Sequence, residues 1–266
     1  MYPTVQIGSV AFPTYGLLAV LGALVMVVIL VCFPYKKAPS REDPLYCLIF
    51  ALVGAIVGAK LLFLISVAPQ LFEFFKAEGI SLQNLGVFFS GGIVFYGGLL
   101  GGILGVYVYA RHYEVPRLRL FDSLAFAIPL FHVFGRLGCF FAGCCYGMHV
   151  DPPLGLYFPD SPYGVEGSVL PTQLIEAAFN LLLFAFLFIY MRKPRQDGLP
   201  TFLYLSIYAL GRFVLEFFRG DEVRGIFGLF STSQWISLAI LAVSAWWFYR
   251  HVFTKRSAQE EGIDCC

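Results

Sequence analysis

One arginine and several cysteines lie together in the segment from His132 to Gly147. Arg136 interrupts a run of apolar residues, and a charged side chain at the centre of a bilayer costs about 2.5–3.5 kcal/mol on insertion scales. A charged residue within a membrane span usually has an ion-pair partner or a functional role. A guanidinium group binds phosphate through a planar fork of N–H donors, and neighbouring thiols bind metal ions or form disulfides. The segment therefore indicates anion binding and thiol chemistry.

Further polar side chains interrupt the other apolar runs. They are Tyr15, Lys60, Tyr96, Gln173, Glu176, Arg212, Glu216 and Arg219. Arg212 and Glu216 are four residues apart, so they can pair on one helix face. The cations outnumber the anions, and a cation-rich cavity with apolar walls suits a phospholipid headgroup. The alternative is that these charges are structural ion pairs that fix helix packing.

The composition indicates an integral membrane protein. Of the 266 residues, 59% are hydrophobic and 13% are charged, whereas soluble domains carry about 25% charged residues. The net charge of +1 comes without a basic stripe, so nothing favours nucleic acid as a partner. Apolar runs of about 20 residues can cross a bilayer. They predict seven spans, near residues 15–33, 45–67, 92–110, 122–146, 171–191, 199–218 and 233–250.

The predicted fold is an all-α integral membrane protein, a bundle of seven transmembrane helices in a single domain over residues 1–266. The second and fourth loops, roughly 68–91 and 147–170, are predicted to form a small extracytoplasmic head, and residues 251–266 a short cytoplasmic tail. Lys and Arg concentrate in the first, third and fifth loops and in the tail. The positive-inside rule then puts the N-terminus outside and the C-terminus in the cytoplasm. Most polar residues of the spans fall in the outer half, which predicts a polar cavity that opens outward.

Five motifs, in order along the chain, carry a resemblance to a known family. They are Tyr15-Gly-Leu, the glycine-rich run from Gly91 to Gly101, Gly135-Arg-Leu-Gly-Cys-Phe, Pro171-Thr-Gln-Leu-Ile-Glu and Gly211-Arg-Phe-Val-Leu-Glu-Phe-Phe-Arg. Over nearly its whole length the chain resembles the bacterial prolipoprotein diacylglyceryl transferases. The resemblance implies a multi-pass protein of the bacterial inner membrane that acts at its outer face.

The resemblance also implies a reaction. The diacylglyceryl group of phosphatidylglycerol, a membrane lipid, moves to the lipobox cysteine of a prolipoprotein signal peptide, and glycerol phosphate leaves. No cofactor is expected. By the same resemblance, Arg136 binds the lipid phosphate, Arg212 stabilises the charge that develops on it, and Glu216 orients Arg212. With the cavity argument, the predicted catalytic residues are Tyr15, Tyr96, Arg212 and Glu216, and the predicted substrate-binding residues are Lys60, Arg136, Gly147, Gln173, Glu176 and Arg219.

The chain departs from the family pattern at residues that are expected to take part in the reaction. Tyr96 stands where the family usually has a histidine, the usual candidate for the base that takes the thiol proton. Tyrosine has a reference pKa of about 10 and is a poorer base near neutrality. Cys139 and Cys144 replace a signature asparagine and glutamate. Either the acceptor thiol is activated differently, or the acceptor is a different one.

The cysteines allow three interpretations. Cys139, Cys144 and Cys145 could form a disulfide at the oxidising outer face, hold a metal ion with help from His149, or serve as small packing residues. Their spacing does not reproduce a usual zinc pattern, so the prediction assigns no metal. The alternative function is a related membrane protein with a different acceptor, or with a thiol-redox or metal role at these cysteines. His132, four residues before Arg136, is expected to form hydrogen bonds within the bundle or to reach the site.

Overall fold

The computed structural model describes residues 3–78, 92, 94–159, 161, 165, 167–220 and 226–253. Within these ranges the chain is mostly helical. The helices are α1 Thr14–Cys32, α2 Asp43–Ser66, α3 Ala68–Glu78, α4 Phe95–His112, α5 Arg117–Ala125, α6 Ala127–Ala142, α7 Thr172–Tyr190, α8 Leu199–Glu216 and α9 Thr232–Phe248, which continues as a π-helix over Tyr249–Phe253. Each predicted span thus contains helix.

Three of the described helices are long and apolar enough to cross a bilayer, namely α1, α2 and α7. The pair α5 and α6, bent by 46°, makes a fourth if it counts as one broken span. The helices in the other predicted spans do not meet the same requirements of length and hydropathy. Helix α4 ends on Arg111 and His112, α8 carries Arg212 and Glu216, and α9 has only 17 residues. The chain is therefore an all-α membrane protein, and the total of seven spans stays a prediction.

The fourth predicted span, residues 122–146, is broken, and its helices begin and end earlier in the chain than expected, at Arg117 and Ala142. The break lies at Phe126, between α5 and α6. Pro129 has no N–H to donate to the carbonyl of Ala125, four residues earlier, so the helix loses a hydrogen bond at this point. The end comes at Ala142 because Gly143 adopts a left-handed conformation with φ 72°, a common helix stop.

The chain folds into two compact units. One comprises Met1–Lys37 with Phe121–Cys266, and the other is Ala38–Leu120. In the second unit, α2 packs directly against α4 through glycines. A Cβ on Gly54 would collide with the carbonyl oxygen of Gly101, and one on Gly58 with that of Gly97. Small residues at such positions let two membrane helices approach backbone to backbone. The single domain over residues 1–266 stays a prediction.

In the first unit α1 packs on α6, α6 on α7, and α8 on α7 and α9. A buried carboxylate fixes the start of α8: Asp122 accepts hydrogen bonds from the backbone N–H of Gly198 (2.7 Å) and from the N–H and hydroxyl of Thr201 (3.1 and 2.6 Å). These bonds satisfy donors that a helix N-terminus leaves unpaired. Asp122 thereby sets the position of the helix that carries Arg212.

Short antiparallel hairpins connect these helices. They are β1 Thr4–Ile7 with β2 Val10–Pro13, β3 Leu156–Tyr157 with β4 Ser168–Val169, and β5 Ile226–Phe227 with β6 Phe230–Ser231. The second hairpin belongs to the predicted head segment 147–170. The other head segment, 68–91, was predicted as a loop, but its first part is α3, whose Ala, Leu, Gln, Glu and Lys residues are good helix formers. Residues 79–91 lie outside the described part of the chain, and the head as a whole stays a prediction.

Candidate functional site

A buried carboxylate joins two arginines from different helices. Glu176 of α7 lies with its Oε1 2.8 Å from Nη2 of Arg136 on α6, and its Oε2 3.7 Å from Nη1 of Arg212 on α8. Arg212 also pairs through Nη2 with Glu216, at 2.8 Å. We name these four residues the ion cluster. The predicted pairing of Arg212 with Glu216 is confirmed.

The ion cluster is enclosed but reachable. The side chains of Glu176 and Glu216 are 4% and 3% exposed, whereas those of Arg136 and Arg212 are 20% and 13% exposed. Charges this far from water interact strongly, because the surroundings screen them little. The two arginine side chains are thus the more exposed members of the cluster.

The charges within the ion cluster balance one another. Four cations against two anions were expected in one cavity, with Arg136 lacking an acidic neighbour on its own helix. Glu176 supplies that neighbour from α7, so the ion cluster itself has two positive and two negative groups. Arg212 Nη1 is nevertheless buried without a hydrogen-bond partner among the described residues. A buried donor left unbonded is costly.

Buried polar residues follow one face of α7. Gln173, Glu176 and Asn180 are all buried, and their spacing of three and four residues places them on one side of a helix. Asn180 donates through Nδ2 to the carbonyl of Glu176, at 2.8 Å. Gln173 donates to the carbonyl of Cys144, at 2.7 Å. This face therefore positions both the carboxylate and the cysteine segment.

Sequence reasoning missed Tyr208. It lies on α8, one turn before Arg212, and interacts electrostatically with Glu176 and Arg136. Its ring centroid is 5.2 Å from that of His132. The missed signal was the spacing of four residues between Tyr208 and Arg212, which puts the phenol on the face of the arginine. His132 packs against this ring, and its buried Nδ1 has no hydrogen-bond partner among the described residues.

Three sulfur atoms meet beside the ion cluster. The Sγ atoms of Cys139, Cys144 and Cys145 all lie within 4.8 Å of one another, and each residue is a free cysteine in this structure. Cys139 is one helical turn after Arg136 on α6. We name these residues the thiol cluster. Proximity of this kind is the arrangement that both metal binding and disulfide formation require.

Gly147, Arg219 and Tyr15 have clear structural surroundings. Gly147 forms a β-bridge with Arg219, and a Cβ on Gly147 would collide with Thr172 and with the carbonyl oxygens of Phe218 and Leu170 at 2.7–2.8 Å. A glycine is therefore needed where the segments meet. Tyr15 packs its backbone and ring against Gly138 on α6, where an added Cβ would approach the ring to 2.9 Å.

Lys60 and Tyr96 belong to the second unit, Ala38–Leu120. Lys60 of α2 donates to the carbonyl of Gly92 at 3.4 Å and lies 5.2 Å from the ring centroid of Phe63. Tyr96 lies in the first turn of α4 and is 41% exposed. Their predicted roles stay predictions.

Comparison with known proteins identifies similar sequences over nearly the whole chain. The sequence model of a family described as "Prolipoprotein diacylglyceryl transferase" matches residues 3–250. The phosphatidylglycerol–prolipoprotein diacylglyceryl transferase of Clostridium tetani (strain Massachusetts / E88) is 35% identical, over 91% of this chain and 94% of that protein. The enzyme numbered 2 of Clostridium perfringens is 33% identical over 86% of each chain, and that of Streptococcus pneumoniae serotype 4 is 33% identical over 90% and 89%.

Proposed function

The chain belongs to the prolipoprotein diacylglyceryl transferase family, and on that premise we propose that it transfers the diacylglyceryl group of phosphatidylglycerol to a prolipoprotein. The acceptor is the lipobox cysteine of the signal peptide. The products are a thioether-linked lipoprotein precursor and glycerol phosphate. The chain is thus a membrane transferase of lipoprotein biosynthesis.

The ion cluster is the observation that carries this proposal. Arg136 and Arg212, whose side chains are partly exposed, are paired with buried carboxylates. Arg136 binds the phosphate of the lipid, and Arg212 stabilises the negative charge that grows on the leaving phosphate. Donors fixed in place before the reaction are effective because they need not reorganise as the charge develops. Glu216 and Glu176 keep the two guanidinium planes aimed, and the unbonded Nη1 of Arg212 is a donor for the phosphate.

The remaining substrate contacts follow from the family resemblance. Tyr15, Lys60, Gly147, Gln173 and Arg219 contact the lipid or the signal peptide. Tyr96, at the family's histidine position, hydrogen-bonds the glycerol of the lipid or takes the proton of the acceptor thiol. The reaction takes place at the outer face of the bacterial inner membrane, in a bundle of seven spans with the N-terminus outside and the C-terminus in the cytoplasm.

Replacement of the phosphate-binding arginine tests this function. The chain is expressed in bacterial cells depleted of their own transferase, and the N-terminal cysteine of a reporter lipoprotein is examined by mass spectrometry. The parent chain is expected to add one diacylglyceryl group. Arg136→Ala and Arg136→Lys are expected to lower transfer by about 100-fold or more, since loss of one such donor costs about 10²–10³-fold and lysine lacks the planar fork.

A matched control is Arg192→Ala, which removes an exposed arginine that lies over the ring of Phe188. It should transfer lipid like the parent chain. Full transfer by Arg136→Ala, in membranes that contain normal amounts of the protein, would contradict the phosphate-binding role. Absence of any diacylglyceryl group with the parent chain would contradict the proposed reaction.

A further inference from the structure

The thiol cluster is built by a specific backbone path. α6 ends one residue before Gly143, and both Gly143 (φ 72°) and Cys145 (φ 61°) adopt left-handed conformations. Positive φ is uncommon for a residue other than glycine, so Cys145 adopts a conformation that the surrounding structure has to hold. The two turns fold the chain back, and Cys144 and Cys145 thereby meet Cys139 of the preceding helix.

The first turn of α7 holds this path in place. The hydroxyl of Thr172 donates to the carbonyl of Cys145 at 3.0 Å, and Nε2 of Gln173 donates to the carbonyl of Cys144 at 2.7 Å. Both side chains are buried. Two consecutive carbonyls are thus fixed from one element, so the sulfur atoms are positioned by the fold.

The distances suit one metal ion. A zinc–sulfur bond is about 2.3 Å long and structural or catalytic zinc is tetrahedral, so two sulfurs on one ion are separated by about 3.8 Å. The three sulfurs lie within 4.8 Å of one another, which leaves a small adjustment on binding. Three protein ligands are the number found at catalytic zinc, where the fourth position is open to water or substrate.

We propose that Cys139, Cys144 and Cys145 hold a zinc ion whose fourth ligand is the acceptor thiolate of the prolipoprotein. This inference rests on the proposed function and names how its nucleophile is activated. A free thiol has a pKa of about 8.5 and is mostly protonated near neutrality, whereas a thiol that coordinates zinc is deprotonated outright. The metal thereby deprotonates the acceptor thiol without a histidine base.

The chemical step balances without an oxidant or a reductant. The acceptor R–SH displaces the water or hydroxide on zinc and gives its proton to that departing group or to solvent. The zinc-bound sulfur then attacks the glycerol carbon that carries the phosphate, a C–S bond forms, and the C–O bond breaks. The electron pair of that bond leaves with the oxygen of glycerol phosphate, beside the guanidinium groups of Arg136 and Arg212.

The charges of the residues near the thiol cluster are compatible with a bound zinc ion and the acceptor thiolate. Three thiolates and Zn²⁺ carry one net negative charge, and the acceptor thiolate adds a second. Arg136 and Arg219 both interact electrostatically with Cys145, so two cations lie near enough to offset this negative charge. Arg136 lies one helical turn before Cys139, which places the thiol cluster beside the group proposed to bind the lipid phosphate.

Metal binding by the full chain tests the site without reference to activity. The protein, purified in detergent under reducing conditions, is stripped with a chelator and titrated with Co²⁺ and Zn²⁺ without oxygen. One ion per chain is expected, with the sulfur-to-cobalt charge-transfer absorption and intense visible bands of a tetrahedral site. Cys145→Ser and Cys139→Ser should weaken binding by more than about 100-fold, since even changes beyond the ligands cost about 10–100-fold.

Cys32→Ser is the matched control, because Cys32 is an exposed cysteine at the end of α1. It should bind metal like the parent chain. The parent chain itself supplies the second measurement, which needs no variant: a lipobox peptide should change the visible cobalt spectrum, and the same peptide with serine in place of cysteine should not.

The outcomes separate this inference from the proposed function. Diacylglyceryl transfer by chelator-treated, metal-free protein would overturn the zinc inference and leave the proposed function intact. A disulfide between two cluster cysteines in active protein would overturn it equally. Binding of cobalt with a visible spectrum that does not change on addition of the cysteine peptide would overturn the fourth-ligand role. If the peptide changes the spectrum but no lipid is transferred, the site is supported and the proposed reaction fails.

Discussion

Glu176 is the residue on which the geometry of the ion cluster depends most. It contacts Arg136 at 2.8 Å and Arg212 at 3.7 Å, so its charge holds two helices at once. We expect Glu176→Gln to lower the free energy of unfolding by about 3–5 kcal/mol, the usual effect of breaking a buried ion pair from one side. The measurement is the thermal or denaturant unfolding of the purified protein in detergent.

Glu216→Gln is the comparison within the same cluster. It removes the contact of Glu216 with Arg212, and Glu176 still faces that guanidinium group. Its effect on unfolding should therefore be smaller than that of Glu176→Gln. Equal effects would show that Glu176 does not join the two arginines in solution.

At the scale of single residues, local spacing decides what the sequence can reveal. The pair Arg212–Glu216 was predicted because both residues lie on one helix, four positions apart. The pair Arg136–Glu176 was not predicted, since its members lie on α6 and α7 and no local pattern links them. For the same reason the cysteines were seen as neighbours in sequence, but the turn that brings their sulfurs together depends on the left-handed conformation of Cys145.

At the scale of elements, the contact between α2 and α4 sets a strict limit on side-chain size. A Cβ on Gly101 would collide with the carbonyl oxygen of Gly54, so Gly101→Ala must push the two helices apart. We expect it to destabilise the protein by about 1–3 kcal/mol or more, the usual effect of overpacking. Lower yield in membranes and a lower midpoint of thermal unfolding in detergent are the measurements.

Gly102→Ala is the matched control on the same helix. Its added methyl would contact the carbonyl oxygen of Ala51 at 3.5 Å and Cβ of Ala55 at 3.7 Å, which are ordinary contacts. Alanine favours helix over glycine by about 1 kcal/mol, so this variant should be neutral or more stable. A loss of stability at Gly102 as large as that at Gly101 would contradict the close packing of α2 and α4.

The elements show where sequence patterns succeed and fail. Every apolar run that predicted a span contains helix, because a long apolar segment in a membrane must satisfy its backbone internally. The break at Phe126 was missed because the run is apolar on both sides of it, and the effect of Pro129 is local. Helix α3 was assigned to a loop, since it is too short and too polar to be read as a span.

At the scale of the whole molecule, the number of spans and the orientation of the termini constrain each other. An N-terminus outside and a C-terminus in the cytoplasm require an odd number of spans. Within the described part of the chain, three helices meet the length and hydropathy expected of a span, or four with the bent pair α5–α6. Four spans would leave both termini on the same side, whereas seven would not. The orientation therefore distinguishes an odd number of spans, three or seven, from four.

We expect a reporter fused after Glu261 to be active only in its cytoplasmic form, and one fused before Met1 only in its extracytoplasmic form. The reason is the alternation of basic loops, since Lys and Arg near span ends are retained in the cytoplasm. With that orientation α7 begins at the outer face, so Gln173 and Glu176 in its first turns lie near the outer leaflet, and the ion cluster meets lipid from that side. The fusions are made to the full chain and compared in membranes with equal amounts of protein. Activity of both termini on one side would contradict the odd number of spans, and with it the outward-facing site.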